Sequence, residues 1–307
     1  MLRSARGFEE YFSGVSNVYT ASHGLDGTPT PDVPQLIKES RYRVEVQAEA
    51  ALSFAERLAD DDEPLILYHA PYSPLAPYEA PHNYLDQFAH VENSARHICL
   101  AMMARVDDSV GRLVGELRHH EIEVQTLIWY ISDNGAPKNS GGFNQSFAGA
   151  KGSLLDGGVL VPSIVSWPGQ LPEGGEYLLM VSSLDVLPTC LAVAGVTEIP
   201  QDLTRIDLMP FLKGSRNDAP HERLFFRWTF RGIEQAAIRS DLWKLLRTGK
   251  LQSLFDLVAV PGETQDATSQ NPVVANEQQQ LDGWIATLPA VAESPKHKPR
   301  RFQERTS

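Results

Sequence analysis

Three short, continuously apolar runs constrain this chain more than any other feature: Leu65-Ile66-Leu67-Tyr68, Thr126-Leu127-Ile128-Trp129-Tyr130-Ile131 and Val159-Leu160-Val161-Pro162-Ser163-Ile164-Val165. Short runs without polar alternation are what strands buried on both faces show. Helical patterns separate them. From Arg43 to Asp60 the residues Val44, Ala48, Ala51, Ala55 and Leu58 fall on one face, and the acidic run Asp60-Asp61-Asp62-Glu63 with Pro64 ends the pattern. A longer stripe of Ile98, Met102, Val106, Val110, Leu113 and Leu117, with Arg105, Asp107, Asp108 and Arg112 elsewhere on the cylinder, reads as a helix packed on a sheet. Leu184 to Ala194 reads as another helix. This alternation predicts an α/β fold with a mostly parallel sheet flanked by helices.

The pattern changes at both ends. Gly7 to Pro34 is rich in Gly, Ser, Thr, Asn and Pro without a sustained period and reads as an irregular surface segment. Past Pro210-Phe211-Leu212-Lys213-Gly214, the pieces Leu224–Trp228, Gln235–Arg239 and Trp243–Leu246 are spaced like a small antiparallel sheet, and Val273 to Ala286 reads as a helix covering it. The expected organisation is a main domain over 1–218 and a small α+β subdomain over 219–307. The basic, proline-containing tail Lys296-His297-Lys298-Pro299-Arg300-Arg301 is expected to be a solvated, disordered end.

A net charge of −12 over 307 residues argues against nucleic-acid binding, which runs on clustered Lys and Arg, and favours a small or carbohydrate-like substrate. The two cysteines, Cys99 and Cys190, each fall inside a helical pattern, so buried thiols are expected rather than a disulfide framework or a cysteine metal site. The first residues, Met1 to Phe8, lack the apolar stretch of a signal peptide, and no apolar run is long enough to span a bilayer. The expectation is a soluble chain with no membrane partner.

In open α/β sheets, ligands collect at the carboxyl ends of strands. One apolar run empties into Ser132-Asp133-Asn134-Gly135, where Asp133 and Asn134 offer the oxygen ligands that hard divalent cations prefer. Asp-Asn-Gly is also a common turn whose side chains bond their own backbone. Lys151, in Gly149-Ala150-Lys151, is a compact charge suited to an anionic oxygen, although most lysines are simply exposed. Asp156-Gly157-Gly158, ahead of the third run, is by itself a tight turn before a strand. The order and spacing of these pieces carry the signal.

Together they resemble the C-terminal two-thirds of a type I, formylglycine-dependent sulfatase of the alkaline-phosphatase-like superfamily. The resemblance runs through Gly7-Phe8-Glu9-Glu10-Tyr11-Phe12, Val106-Asp107-Asp108-Ser109-Val110-Gly111-Arg112-Leu113, the Asp-Asn-Gly turn, Lys151 to Gly169, Leu184-Asp185-Val186-Leu187-Pro188-Thr189 and Leu254-Phe255-Asp256-Leu257. It implies an alkaline-phosphatase-like sandwich, Asp133 and Asn134 as ligands of Ca²⁺ with Mg²⁺ as the alternative ion, and Lys151 gripping a sulfate ester. It also implies export for many family members.

Two departures qualify what the resemblance implies. The loop after the first run reads Ala70-Pro71-Tyr72-Ser73-Pro74, so Tyr72 stands where the family carries a histidine, and a phenol is a poor acid–base substitute near neutral pH. His69 and His82 are nearby substitutes. No Cys-x-Pro-x-Arg or Ser-x-Pro-x-Arg occurs in the 307 residues, so the family nucleophile is absent from them. The chain is therefore expected to be a truncated frame, a split-gene half or a degenerate paralogue, inactive alone, with an apolar sheet edge left unpaired and a complementing N-terminal portion as a candidate partner. The activity implied is hydrolysis of aryl or carbohydrate sulfates. The alternatives are a non-catalytic protein binding an anionic or sulfated ligand or a partner, and a phosphoester or phosphonate hydrolase of the same superfamily.

Overall fold

The computed structural model describes residues 7–15, 17–30, 35–59, 64–198, 203, 206–230, 232–269 and 271–289. The acidic run 60–63 and the basic tail 296–301 lie outside the described residues. Among those described, no helix is long and apolar enough to cross a membrane.

The opening segment is not irregular. Strands β1 (Phe12–Val15), β2 (Val18–Ala21) and β3 (Gln35–Lys38) form an antiparallel sheet in that order, with Phe12 opposite Ala21 and Val18 opposite Lys38. Tyr19 and Ala21 point inward on alternate positions, and the Tyr19 ring stacks on Phe12 at 4.8 Å. Four-residue strands are too short for this period to stand out against the Gly, Ser and Thr around them.

Helix α1 (Arg43–Leu58) follows, burying Val44, Ala48, Ala51 and Ala55 as its stripe predicts and Val46 besides, while Leu58 stays half-buried. The short turn α2 (His82–Leu85) leads toward α3 (Ser94–His119), whose first turn is capped by Asn93 accepting from the Arg96 amide at 2.9 Å. Helix α3 packs on α1 rather than on a sheet, and the alanines of the α1 stripe permit that approach. Its buried face is Cys99, Ala101, Met102, Arg105, Val106 and Ser109. Arg105, expected away from the stripe, is buried with its guanidinium 5.7 Å from the centre of the Tyr84 ring, a contact that suits a partly desolvated cation.

Strands β4 (Ile128–Ile131) and β5 (Ser163–Ser166) pair antiparallel, with Ile128 opposite Ser166 and Ile131 opposite Ser163. Every ladder among the described residues is antiparallel, so the predicted parallel pairing is not made there. A parallel neighbour has to be delivered across a long connection, and the run that could supply it, Leu65–Tyr68, joins no ladder among the described residues. Ile66 is 67% exposed and Tyr68 74%, so a run patterned for burial lies open. The start of the third run departs as well: Val159 closes a helical turn, α4 (Asp156–Val159), in which the Leu160 amide donates to Asp156 O at 2.8 Å.

A capping box at Ser182 and Asp185 starts the turn Ser183–Asp185 that leads into α5 (Val186–Val193), and α6 (Met209–Leu212) follows. Strands β6 (Leu224–Phe230), β7 (Ile233–Arg239), β8 (Trp243–Thr248) and β9 (Leu251–Asp256) then form a four-stranded antiparallel sheet, one strand more than predicted. Gly249, at φ +57°, makes the two-residue turn between β8 and β9, a conformation that costs a side-chain-bearing residue more. Helix α7 (Val273–Thr287) covers this sheet as expected: Leu281 packs on Ala236, Ile238, Leu245 and Leu254, and Trp284 stacks on Phe225 at 5.2 Å.

Leu281 is fully buried in that cluster, so Leu281→Ala is expected to lower unfolding free energy by about 2–5 kcal/mol, read from the urea midpoint. A loss below about 1 kcal/mol would mean that α7 does not seal the sheet.

Candidate active site

The turn after β4 is held by backbone on both sides. The Ser132 amide donates to Pro162 O at 3.1 Å, and the Gly135 amide donates to Gly158 O at 3.0 Å. A Cβ placed on Gly135 would lie 1.9 Å from Gly157 O, so only glycine lets the two segments meet. Asp133 is exposed and Asn134 half-buried on this turn. Asn134 Nδ2 donates to Asp133 Oδ1, which leaves Asp133 Oδ2 and Asn134 Oδ1 without a protein hydrogen bond among the described residues.

Lys151 reaches the same place from the following loop. Its amide donates to Ala136 O at 3.3 Å, one residue past the turn, while its side chain is exposed. Asn144 staples the loop: its Oδ1 accepts the Ala136 amide at 2.8 Å and its Nδ2 donates to Ala136 O at 3.1 Å. Asp133, Asn134 and Lys151 thus line one cleft of about 890 Å³, which Phe226, Trp228 and Trp284 also line. A carboxylate, an amide oxygen and an ammonium that line one cleft are groups of the kind that can hold a hard cation and an oxyanion.

The structure does not bring the other candidates into that cleft. Tyr72 is half-buried and not among its lining; its amide donates to Gln47 Oε1 at 2.9 Å, and the Arg43 guanidinium sits 4.7 Å from the centre of its ring. Arg43 itself is buried and donates to Leu75 O at 2.8 Å and Pro77 O at 2.7 Å, so it fixes the whole proline-rich loop. His82 is exposed at the start of α2. His69 has a buried Nε2 with no hydrogen-bond partner, and burial holds its imidazole below the ordinary pKa. Of the cysteines, Cys99 is buried and Cys190 partly so; both are free, and burial raises both thiols.

Lys244, Glu263 and His221, which meet the sequence-marked Asp156 and Asp185, carried no sequence signal. Asp156, Lys244 and Glu263 form a buried ionic cluster behind the glycine turn, and burial pushes the Glu263 carboxyl up against the pull of Lys244. His221 lies 2.8 Å from the fully buried Asp185. These pairs span tens of residues, and no local pattern marks a surface-type residue for burial.

Comparison with known proteins decides the family. The family model described as Sulfatase matches residues 3–196, and that described as N-sulphoglucosamine sulphohydrolase, C-terminal, matches 150–288. The chain belongs to the sulfatase family. It is 34% identical over 184 residues to N-acetylgalactosamine-6-sulfatase of Sus scrofa, covering 57% of this chain and 34% of the relative. To arylsulfatase A of Homo sapiens it is 31% identical over 207 residues, covering 63% and 38%. The chain thus spans little more than a third of these relatives. Among solved structures, Ps i-CgsB in complex with k-i-k-neocarrahexaose matches with a TM-score of 0.77 at 26% identity, over 92% of this chain and 60% of that one. BT4656 in complex with its substrate D-glucosamine-2-N,6-O-disulfate matches at 0.72 and 16% identity, covering 91% and 75%, a likeness of fold. The fold is the alkaline-phosphatase-like α/β fold of sulfatases.

Sulfatases generally bind a divalent metal. The donors here suit a hard cation in kind, but such ions take about six to eight oxygens, and no group of three or more His, Cys, Asp or Glu gathers among the described residues.

Since His69 is held neutral when folded, the unfolded chain binds the extra proton as pH falls below about 6.5, and the stability this group contributes is present above that pH and lost below it. The melting temperature is expected to fall between pH 7.5 and 5.5 by less in His69→Asn than in the wild type; equal falls would show that His69 is not held neutral.

Proposed function

We propose that this chain forms the metal-holding and sulfate-gripping part of a sulfuric ester hydrolase acting on aryl or carbohydrate sulfates. The observation that carries the reading is the shared cleft of Asp133, Asn134 and Lys151. Asp133 and Asn134 would hold Ca²⁺, or Mg²⁺ in its place, and the ion would supply positive charge against the sulfuryl oxygens. Lys151 would orient the ester through a second sulfuryl oxygen and favour the charge that builds as the S–O bond breaks. The aromatic wall leaves room for a sugar or aryl leaving group.

The attacking group would come from polypeptide other than these 307 residues, which hold no Cys-x-Pro-x-Arg or Ser-x-Pro-x-Arg. Exposed apolar side chains support this: Ile66 and Tyr68 of the first apolar run are exposed, and so is Ile164 on β5 at 62%. A soluble surface rarely leaves strand-type apolar residues uncovered in such numbers unless something packs there. A complementing N-terminal portion is the partner that fits a sheet edge of this kind. The second reading, a non-catalytic binder of sulfated ligands, draws on Tyr72, whose ring is held by Arg43 rather than presented to the cleft.

Two outcomes are expected of the purified 307-residue chain. It should not hydrolyse an aryl sulfate above the buffer rate, and turnover at enzymatic rates would refute the missing-nucleophile reading. In calorimetric titrations, Asp133→Ala should weaken calcium binding by about tenfold or more, that is, about 1.4 kcal/mol. An unchanged affinity in a folded variant would remove the metal assignment.

A further inference from the structure

An ionic cluster lies directly behind the Gly157-Gly158 turn. Lys244 of β8 has no solvent exposure, and its Nζ lies 2.7 Å from Asp156 Oδ1 and 2.9 Å from Glu263 Oε1. The Asp156 contact is an aligned hydrogen bond, whereas the Glu263 contact is a charge contact, since Glu263 Oε1 has no aligned donor. Arg239 of β7 brings Nε within 3.5 Å of the same Asp156 oxygen. Glu263 closes the cluster through its other oxygen, which accepts the Asp156 amide at 2.6 Å.

Burying three ionic groups, Asp156, Lys244 and Glu263, is a poor route to stability, because desolvation offsets most of their attraction and apolar side chains of equal volume often do as well. What the cluster adds is direction. Asp156 is gripped at its carboxylate by the β7–β8 sheet and at its amide by Glu263, so its backbone has one place to be. From it the constraint passes through two glycines without slack. The Gly157 amide donates to Ala148 O at 2.7 Å, and Gly158 O accepts the Gly135 amide at 3.0 Å. A Cβ on Gly158 would come within 2.2 Å of Ser153 O and 2.6 Å of Ala150 O, on either side of Lys151.

We propose that Lys244, Asp156 and Glu263 are positioning residues through which the C-terminal sheet sets the placement of Asp133, Asn134 and Lys151. Their importance for chemistry rests on the reading of those three residues given above; the mechanical coupling does not. The geometry predicts that loosening the cluster frees the site's two segments before it frees the sheet.

The test is residue-resolved amide hydrogen exchange on the 307-residue chain, without added metal, for the wild type, Lys244→Met and Asp156→Asn. The amides of Gly135, Lys151 and Gly157 are expected to exchange about tenfold faster or more in both variants, while the β6–β7 ladder keeps its protection. Wild-type protection at these three amides would overturn the proposal, as would an equal loss across the β6–β7 ladder, which would make the cluster a prop for the whole fold. If Lys244→Met does not fold, Asp156→Asn, which keeps an acceptor oxygen toward Lys244, decides the matter alone. Asp133→Ala leaves the cluster intact and should exchange like the wild type at Gly157. A failed metal assignment therefore shows in calcium affinity, and a failed positioning role shows in exchange.

Discussion

The approach of Gly135 to Gly157 and Gly158 is the contact on which the candidate site depends. It is a backbone-to-backbone contact, with the Gly135 amide on Gly158 O and no room for a methyl group at either segment. Without it, the loop carrying Lys151 and the turn carrying Asp133 and Asn134 would be separate surface features. With it, three ordinary polar side chains open on one cleft. A single methyl group at Gly135 would have to push the two segments apart, because its neighbour is a carbonyl and not a side chain that can rotate away.

Around this contact the chain places charge where it can hold backbone still. The Lys244, Asp156 and Glu263 cluster fixes one glycine segment, and buried Arg43 fixes the proline-rich loop by donating to two carbonyls while its guanidinium covers Tyr72. Asp185 works the same way at the start of α5, where it caps the Ser182 amide at 2.7 Å and meets His221. In each case a buried charged side chain has at least one oppositely charged or hydrogen-bonding partner, which offsets part of the cost of burying it.

Much of this architecture was legible in the sequence, and the exceptions have physical reasons. Helices α1, α3 and α7 were readable because their apolar residues repeat at the helical period over many turns. The C-terminal sheet was readable from its β-branched and aromatic pieces, although β9 lay hidden beside a turn. Asp133, Asn134 and Lys151 were marked by their order and, for the first two, by their place after a strand, and all three line one cleft. The opening sheet was missed because its strands are four residues long. Pairing direction was not legible because continuous apolar runs report burial on two faces and not the neighbour that provides it; among the described residues Leu65–Tyr68 joins no ladder. Arg105, Lys244, Glu263 and His221 were invisible because their partners come from distant segments.

The exposed apolar residues and the shared cleft fit the function proposed above: oxygens that would hold a cation, an ammonium that would hold an anion, and an attacking group that would come from other polypeptide. The most direct test is whether calcium and inorganic sulfate bind this chain as coupled ligands, because two charges of opposite sign in one cleft must each raise the other's affinity by the same factor. Calcium titrations with and without sulfate should show tighter calcium binding when sulfate is present, with the coupling lost in Lys151→Ala. Calcium affinity independent of sulfate in the wild type, or coupling that survives in Lys151→Ala, would contradict the account.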